Sequence, residues 1–183
     1  MNTKSKNIEM FIAKTLILAI LFLSSRCIGN NLNPEMIDLS QMFYDYPSDP
    51  TFNVQFLDRS KLDYSIDSLD HVNAFLESVR LQRNSIPEKK FNPLVLRIGA
   101  YVGEVIRKNS KTKKIIWVSF EKAASQSQLI KSLGENISTI AILQVEGEDD
   151  FSFPLGKVLK YLEFGEAENL KFFAQSIILD RKK

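Results

Sequence analysis

Asn92-Pro93-Leu94-Val95-Leu96-Arg97-Ile98-Gly99-Ala100-Tyr101-Val102-Gly103-Glu104-Val105-Ile106-Arg107-Lys108 is the stretch on which the fold turns. Asn92 suits a helix cap. Pro93 suits the first helical position, where its missing N–H removes no hydrogen bond. From Leu94 to Lys108 apolar residues cover most of the helical circumference, so this segment reads as a central, buried helix. Arg97, Tyr101, Glu104 and Lys108 fall at spacings of four, three and four, which aligns them as one polar stripe. Gly99 and Gly103 each cost about 1 kcal/mol of helix propensity against alanine, and the expected return is the close approach of another backbone. Their GxxxG spacing does not mark a membrane dimer, because charged residues flank the segment at both ends.

Beyond this helix, Asn109 to Lys114 is a basic turn and Ile115 to Phe120 is a strand by composition. Ala123 to Leu133 reads as a short helix closed by Gly134. Thr139 to Val145 is a second strand, Gly147 to Asp150 a turn, and Phe151 to Phe153 a brief extended piece. Pro154 starts a helix to Phe164, Gly165 breaks it, and Glu166 to Ile178 reads as the last helix. Before the central helix, Ile66, Leu69, Val72, Leu76 and Val79 make one apolar stripe, which predicts a helix over Ile66–Gln82. Ser65 is its cap, and Asp67 and Asp70 favour its first turns. Phe52, Val54 and Phe56 alternate with polar residues as in a half-buried strand. Asn30 to Pro50 reads as an extended lead-in with room for one short helix around Pro34–Phe43. The fold class that follows is α+β, a small antiparallel sheet packed against four to five helices, in one domain over residues 51–183.

Residues 1–29 have the layout of a signal peptide. Lys4, Lys6 and Lys14 lead into an apolar run that ends at Leu23, before Ser24-Ser25-Arg26-Cys27. A bilayer span needs about 20 apolar residues, and Phe11 to Leu23 is shorter and interrupted by Lys14. Two exits compete. Cys27-Ile28-Gly29 is a small-x-small pattern that permits cleavage before Asn30. Leu23-Ser24-Ser25-Arg26-Cys27 resembles the cleavage box of bacterial lipoproteins, which would make Cys27 the lipidated N-terminus. Arg26 stands where that box carries a small residue, which favours simple cleavage. The chain is therefore expected to be exported, to the periplasm, the cell envelope or the medium, with membrane contact only through this segment. It holds four of the 24 basic and one of the 22 acidic residues, so the remainder has a net charge of −1. Nothing in that balance favours nucleic acid. Cys27 is the single cysteine, which rules out an internal disulfide.

Three stretches carry a resemblance. They are Asp63-Tyr64-Ser65-x-x-Ser68-Leu69, then Gly99-Ala100-Tyr101-Val102-Gly103-Glu104-Val105-Ile106-Arg107 followed by Trp117, and finally Phe153-Pro154 to Gly165 with Lys157 and Lys160. Together they resemble uncharacterised bacterial domain-of-unknown-function families over about residues 60–178. The resemblance implies a compact α+β fold and carries no activity.

No catalytic set stands out, and no cofactor or metal site is expected. His71 is the only histidine, so a multi-histidine metal site is excluded, and its place off the apolar stripe predicts exposure. Glu146, Glu148, Asp149 and Asp150 lack the spacing of a calcium loop and read as a solvated hairpin tip. Lys108, Lys111, Lys113 and Lys114 read as a solvated basic turn, with anionic head groups as the functional alternative. Asn136-Ile137-Ser138 is a glycosylation sequon that has meaning only in a eukaryotic secretory pathway. Two functional expectations follow. The first is a non-enzymatic protein binding a protein or envelope component at a groove near the central helix, with Arg97, Tyr101, Glu104 and Trp117 as candidate binding residues. The second is a hydrolase-like enzyme using Glu104 with Arg97 or Tyr101.

Overall fold

A computed structural model describes residues 31–45 and 57–179. The leader with Cys27, and the strand expected at Phe52, Val54 and Phe56, lie outside the described residues. Within them run seven α-helices: α1 (Asn33–Asp45), α2 (Ser68–Leu81), α3 (Glu88–Asn109), α4 (Phe120–Gln126), α5 (Gln128–Leu133), α6 (Pro154–Phe164) and α7 (Leu170–Ile178). Three strands, β1 (Ile115–Ser119), β2 (Ala141–Val145) and β3 (Phe151–Ser152), form an antiparallel sheet in that order. The chain is thus α+β, with a small antiparallel sheet among helices. Among the described residues no helix is long and apolar enough to cross a membrane.

Side-chain alternation divides the sheet between two apolar layers. Ile115, Trp117, Ala141, Leu143 and Val145 face the main core, which α1, α2, α3, α6 and α7 complete. Val118 and Ile142 face the other way, against Ala123 of α4 and Ile130 of α5. The register places Ile115 opposite Val145 and Ser119 opposite Ala141. The outer edge of β1 is covered by the chain entering α1. There the Leu32 N–H donates to the Trp117 carbonyl at 3.1 Å, and the Trp117 N–H donates to Asn33 Oδ1 at 2.7 Å. Covering an edge in this way removes a template for pairing with another chain.

Several boundaries differ from the sequence expectation, the larger ones for local reasons. The short helix expected around Pro34–Phe43 is present and slightly longer, Asn33–Asp45, because Met36, Leu39 and Phe43 recur at three and four and bury against α3. Helix α3 starts at Glu88, not Pro93, so Pro93 lies inside it and Pro87 precedes it. Phe91 buries in the added first turn with the Arg83 guanidinium 3.8 Å above its ring, and Arg83 also pairs with Glu88. The segment from Ala123 to Leu133 forms parts of two helices, because Ser127 is extended and its Oγ accepts from Ile130 N–H as a new cap. The last helix begins at Leu170, since Gly165–Glu168 is a 3-10 turn and Asn169 Oδ1 caps the Lys171 and Phe172 N–H groups. The helix Pro154–Phe164 has the bounds its apolar face predicts, whereas α2 starts at Ser68 rather than Ile66, with Asp67 and not Ser65 as its N-cap, although Ser65 Oγ still accepts from Ser68 N–H in the preceding turn.

Candidate functional site

The polar stripe of the central helix points inward. Arg97 is 2 % exposed, Tyr101 0 %, Glu104 3 % and Trp117 0 %. The expected groove lined by these four residues is therefore corrected: they are interior groups, because α1, α6, α7 and the sheet surround α3 on all the faces that carry them. Lys108 alone of the stripe reaches the surface.

Glu104, Trp117 and Tyr101 each have a structural task in this interior. Glu104 Oε1 accepts from Trp117 Nε1 at 3.0 Å and from Arg107 Nη1 at 2.6 Å, and Arg107 Nε donates to the Ile115 carbonyl at 3.0 Å. A carboxylate buried this deeply needs such partners to offset the loss of water. The three residues together tie α3 to β1. Trp117 fits because Gly103 has no side chain: a Cβ there would lie 2.0 Å from the indole Cζ2. Gly99 does the same for α6, where a Cβ would lie 3.0 Å from the Leu155 Cα. The backbone approach expected of the two glycines occurs at Gly99, whereas Gly103 admits a ring.

Tyr101 OH donates to Ser68 Oγ at 2.9 Å and accepts from Tyr64 N–H at 3.0 Å. Burial pushes its hydroxyl up to about 12, against the smaller opposing effect of these hydrogen bonds. Tyr64 itself has φ 61°, the left-handed region that a bulky residue rarely occupies. Its neighbours hold it there: Asn109 Nδ2 donates to its carbonyl, Ser40 Oγ donates to its hydroxyl, its ring stacks on Tyr101, and Lys108 Nζ lies 3.3 Å from the ring centroid. The first two motif stretches of the resemblance, with Trp117, therefore meet in space as one packing unit.

The two charge runs also meet. Lys114 Nζ pairs with Glu146 at 2.8 Å and Lys113 Nζ with Asp150 at 3.7 Å, because the β1–β2 register puts the basic turn beside the acidic hairpin tip. These exposed pairs consume charge that a head group would need. Among the described residues no group of three or more histidine, cysteine or acidic side chains could hold a metal ion. His71 is exposed, as its position predicts.

An open depression of about 300 Å³ lies elsewhere on the surface, where α2 faces the turn between α6 and α7. Asp70, Asn73, Glu77, Tyr161, Glu166 and Asn169 line it. Asp70 is paired with Lys171, and Glu77 with Arg80, whose hydrogen bonds hold the Glu77 carboxyl below its ordinary range. Glu166 accepts from Tyr161 OH at 3.2 Å and from Asn169 Nδ2. Burial first, and then the Glu166 charge, push the Tyr161 hydroxyl up, so it stays a donor. Sequence reasoning passed over Asn73 and Glu166. The available signal was Asn73 beside Val72 in the apolar stripe of α2, a polar group at a position that had to be buried.

Comparison with family models, with curated proteins and with solved structures finds no match to this chain.

Proposed function

We propose that this chain is an exported, non-enzymatic protein of the bacterial envelope or secreted fraction that binds a protein or envelope component. The observation that weighs against catalysis at Glu104 is the enclosure of its side chain, and the same enclosure moves any binding surface away from the central helix. The Glu104 carboxylate is almost fully enclosed, and its Oε1 already accepts from Trp117 and Arg107. A general base must come within hydrogen-bond reach of a substrate proton. Glu104 has no such access, and Tyr101 spends its hydroxyl on Ser68 and Tyr64. What supports export is the basic, apolar and small-residue sequence of residues 1–29.

The deciding experiment is rescue of a deletion strain by Glu104→Gln, with the fold checked by circular dichroism. Full rescue is expected, because an amide oxygen can still accept from Trp117. Loss of rescue by a normally folded variant overturns the non-enzymatic reading. Intact mass of the processed chain tests export in the same strain: a start at Asn30 or a lipidated Cys27 agrees with it, and an unprocessed cytosolic chain does not.

A further inference from the structure

We propose that the outward face of α7, with the basic run that follows it, docks on an anionic phospholipid surface. This rests on reading the chain as one that binds an envelope component. It names that component's chemistry and adds a membrane contact to the one expected of residues 1–29.

The packing of α7 carries the first half of the argument. Leu170, Phe172, Phe173, Ala174, Ile177 and Ile178 make six of its nine residues apolar, yet only Leu170 and Ala174 are buried. Phe172 is 69 % exposed, and Leu179, just past the helix, is 67 % exposed. Phe173, Ile177 and Ile178 are only half-buried against the core. A helix apolar around most of its circumference is ordinarily enclosed, whereas α7 is covered on one side. Phe172, Ser176 and Leu179 follow one another at four and three, so the exposed apolar pair shares one line along the helix.

Charge carries the second half and identifies the occupant. No acidic residue lies between Leu170 and Leu179, and the sequence then runs Asp180-Arg181-Lys182-Lys183, three cations against one anion. Lys171 spends its charge on Asp67 and Asp70 at the other end of the helix. Glu168, before α7, is taken by Lys157, and Glu163 and Glu166 also lie on that side. The molecule is thus acidic where α7 begins and basic where it ends, and it meets a negative surface with the Leu179 end first. Cations beside an exposed apolar helix face are what an anionic bilayer attracts and takes into its interface. Two apolar side chains a helix length apart suit a fluid acyl layer, which moulds to them, whereas a protein partner would need a pocket for each. Leu129 and Leu133 expose a similar pair on α5, but there Glu121 and Glu135 balance Lys122 and Lys131, so charge selects no occupant.

The test is cosedimentation of the processed chain with vesicles of phosphatidylglycerol and phosphatidylcholine in equal parts, against phosphatidylcholine alone, with insertion read by the fluorescence of Phe172→Trp. The native indole of Trp117 is enclosed and bonded to Glu104, so it gives a constant background. A blue shift is expected on the anionic vesicles, with binding at least about tenfold weaker on phosphatidylcholine. Changing Arg181, Lys182 and Lys183 to Gln should weaken binding about fivefold for each cation removed, and high salt should act in the same direction. Leu179→Ser should weaken it at least about fivefold. Leu129→Ser, an equally exposed leucine on α5, should leave it unchanged. A lipid on Cys27 would hold the chain on both kinds of vesicle alike, and the fluorescence at position 172 still reports whether α7 inserts. No blue shift, an equal shift on phosphatidylcholine, or an equal loss in Leu129→Ser each overturn the proposal. So does a dimer in the absence of vesicles that Leu179→Ser abolishes, which would assign this face to a second copy. None of these results bears on rescue by Glu104→Gln or on the mass of the processed chain, so the α7 face can fail while the export and binding readings stand.

Discussion

Gly103 shows how one missing side chain organises the interior. The indole of Trp117 occupies the space where a Cβ would sit, and the indole N–H then reaches Glu104 one residue further along the same helix. Gly103→Ala gains about 1 kcal/mol of helix propensity. It also forces a methyl group against an aromatic ring in a packed core, where overpacking costs about 1–3 kcal/mol and more when the neighbour cannot shift. Trp117 is pinned by its backbone to Asn33 and by its ring to Glu104, so it cannot shift. The expected outcome is a net loss of about 2 kcal/mol, read as a lower urea midpoint with an unchanged slope. An unchanged midpoint would mean that the ring moves freely. The glycine spacing was visible in the sequence, and so was Trp117 as a strand residue. That the two touch was not, because α3 and β1 meet through a turn whose geometry no local pattern encodes.

Among the elements, α3 carries an internal conflict. Pro93 lies in its second turn, where it can donate no hydrogen bond to the Lys89 carbonyl, and its ring crowds that turn. The burial of Phe91 holds the added turn in place. Pro93→Ala restores the bond at the expense of a more flexible unfolded chain, and should raise stability by about 1–2 kcal/mol. For a domain of this size that is a rise of about 3–8 °C in melting temperature, measured by calorimetry. A fall would show that the proline ring itself packs well. The same element explains why its start was misread. Asn92-Pro93 is a sound start signal, and it outweighed Glu88 in the sequence because the reward for extending the helix is a contact between Phe91 and Arg83. Helix α6 was legible end to end, with Pro154 opening it, Gly165 closing it and one apolar face between them. Helix α1 was legible to within two residues at each end, from the spacing of Met36, Leu39 and Phe43 after Pro34.

Across the whole molecule, Glu104 and Trp117 meet, but that all four candidate residues lie inside was not legible. A polar stripe on an apolar helix marks either a surface or a saturated interior, and only the number of elements packed around it decides. That saturation has a pH signature. Tyr101 is pushed up to about 12, and Tyr161 is pushed up in the same direction, chiefly by burial in both cases. In the unfolded chain both ionise near about 10. Their contribution to stability is therefore fully present below about pH 10 and is lost as pH rises through the folded values, because the unfolded state releases protons that the folded state retains. Urea midpoints should fall between about pH 9 and about pH 11.5, and Tyr101→Phe should fall less steeply from a lower starting point. A flat profile for the unaltered chain would contradict the burial of these hydroxyls.

The contact between Leu32 and Trp117 also limits mechanical freedom. It ties the chain to the edge of β1 immediately after Asn31. Asn31 lies four residue steps beyond Cys27, a span of at most about 14 Å at full extension. A lipid on Cys27 would thus act as a short leash, holding the β1 edge close to the bilayer and setting the orientation in which the rest of the molecule meets its surroundings. A chain cut before Asn30 would tumble without that bias.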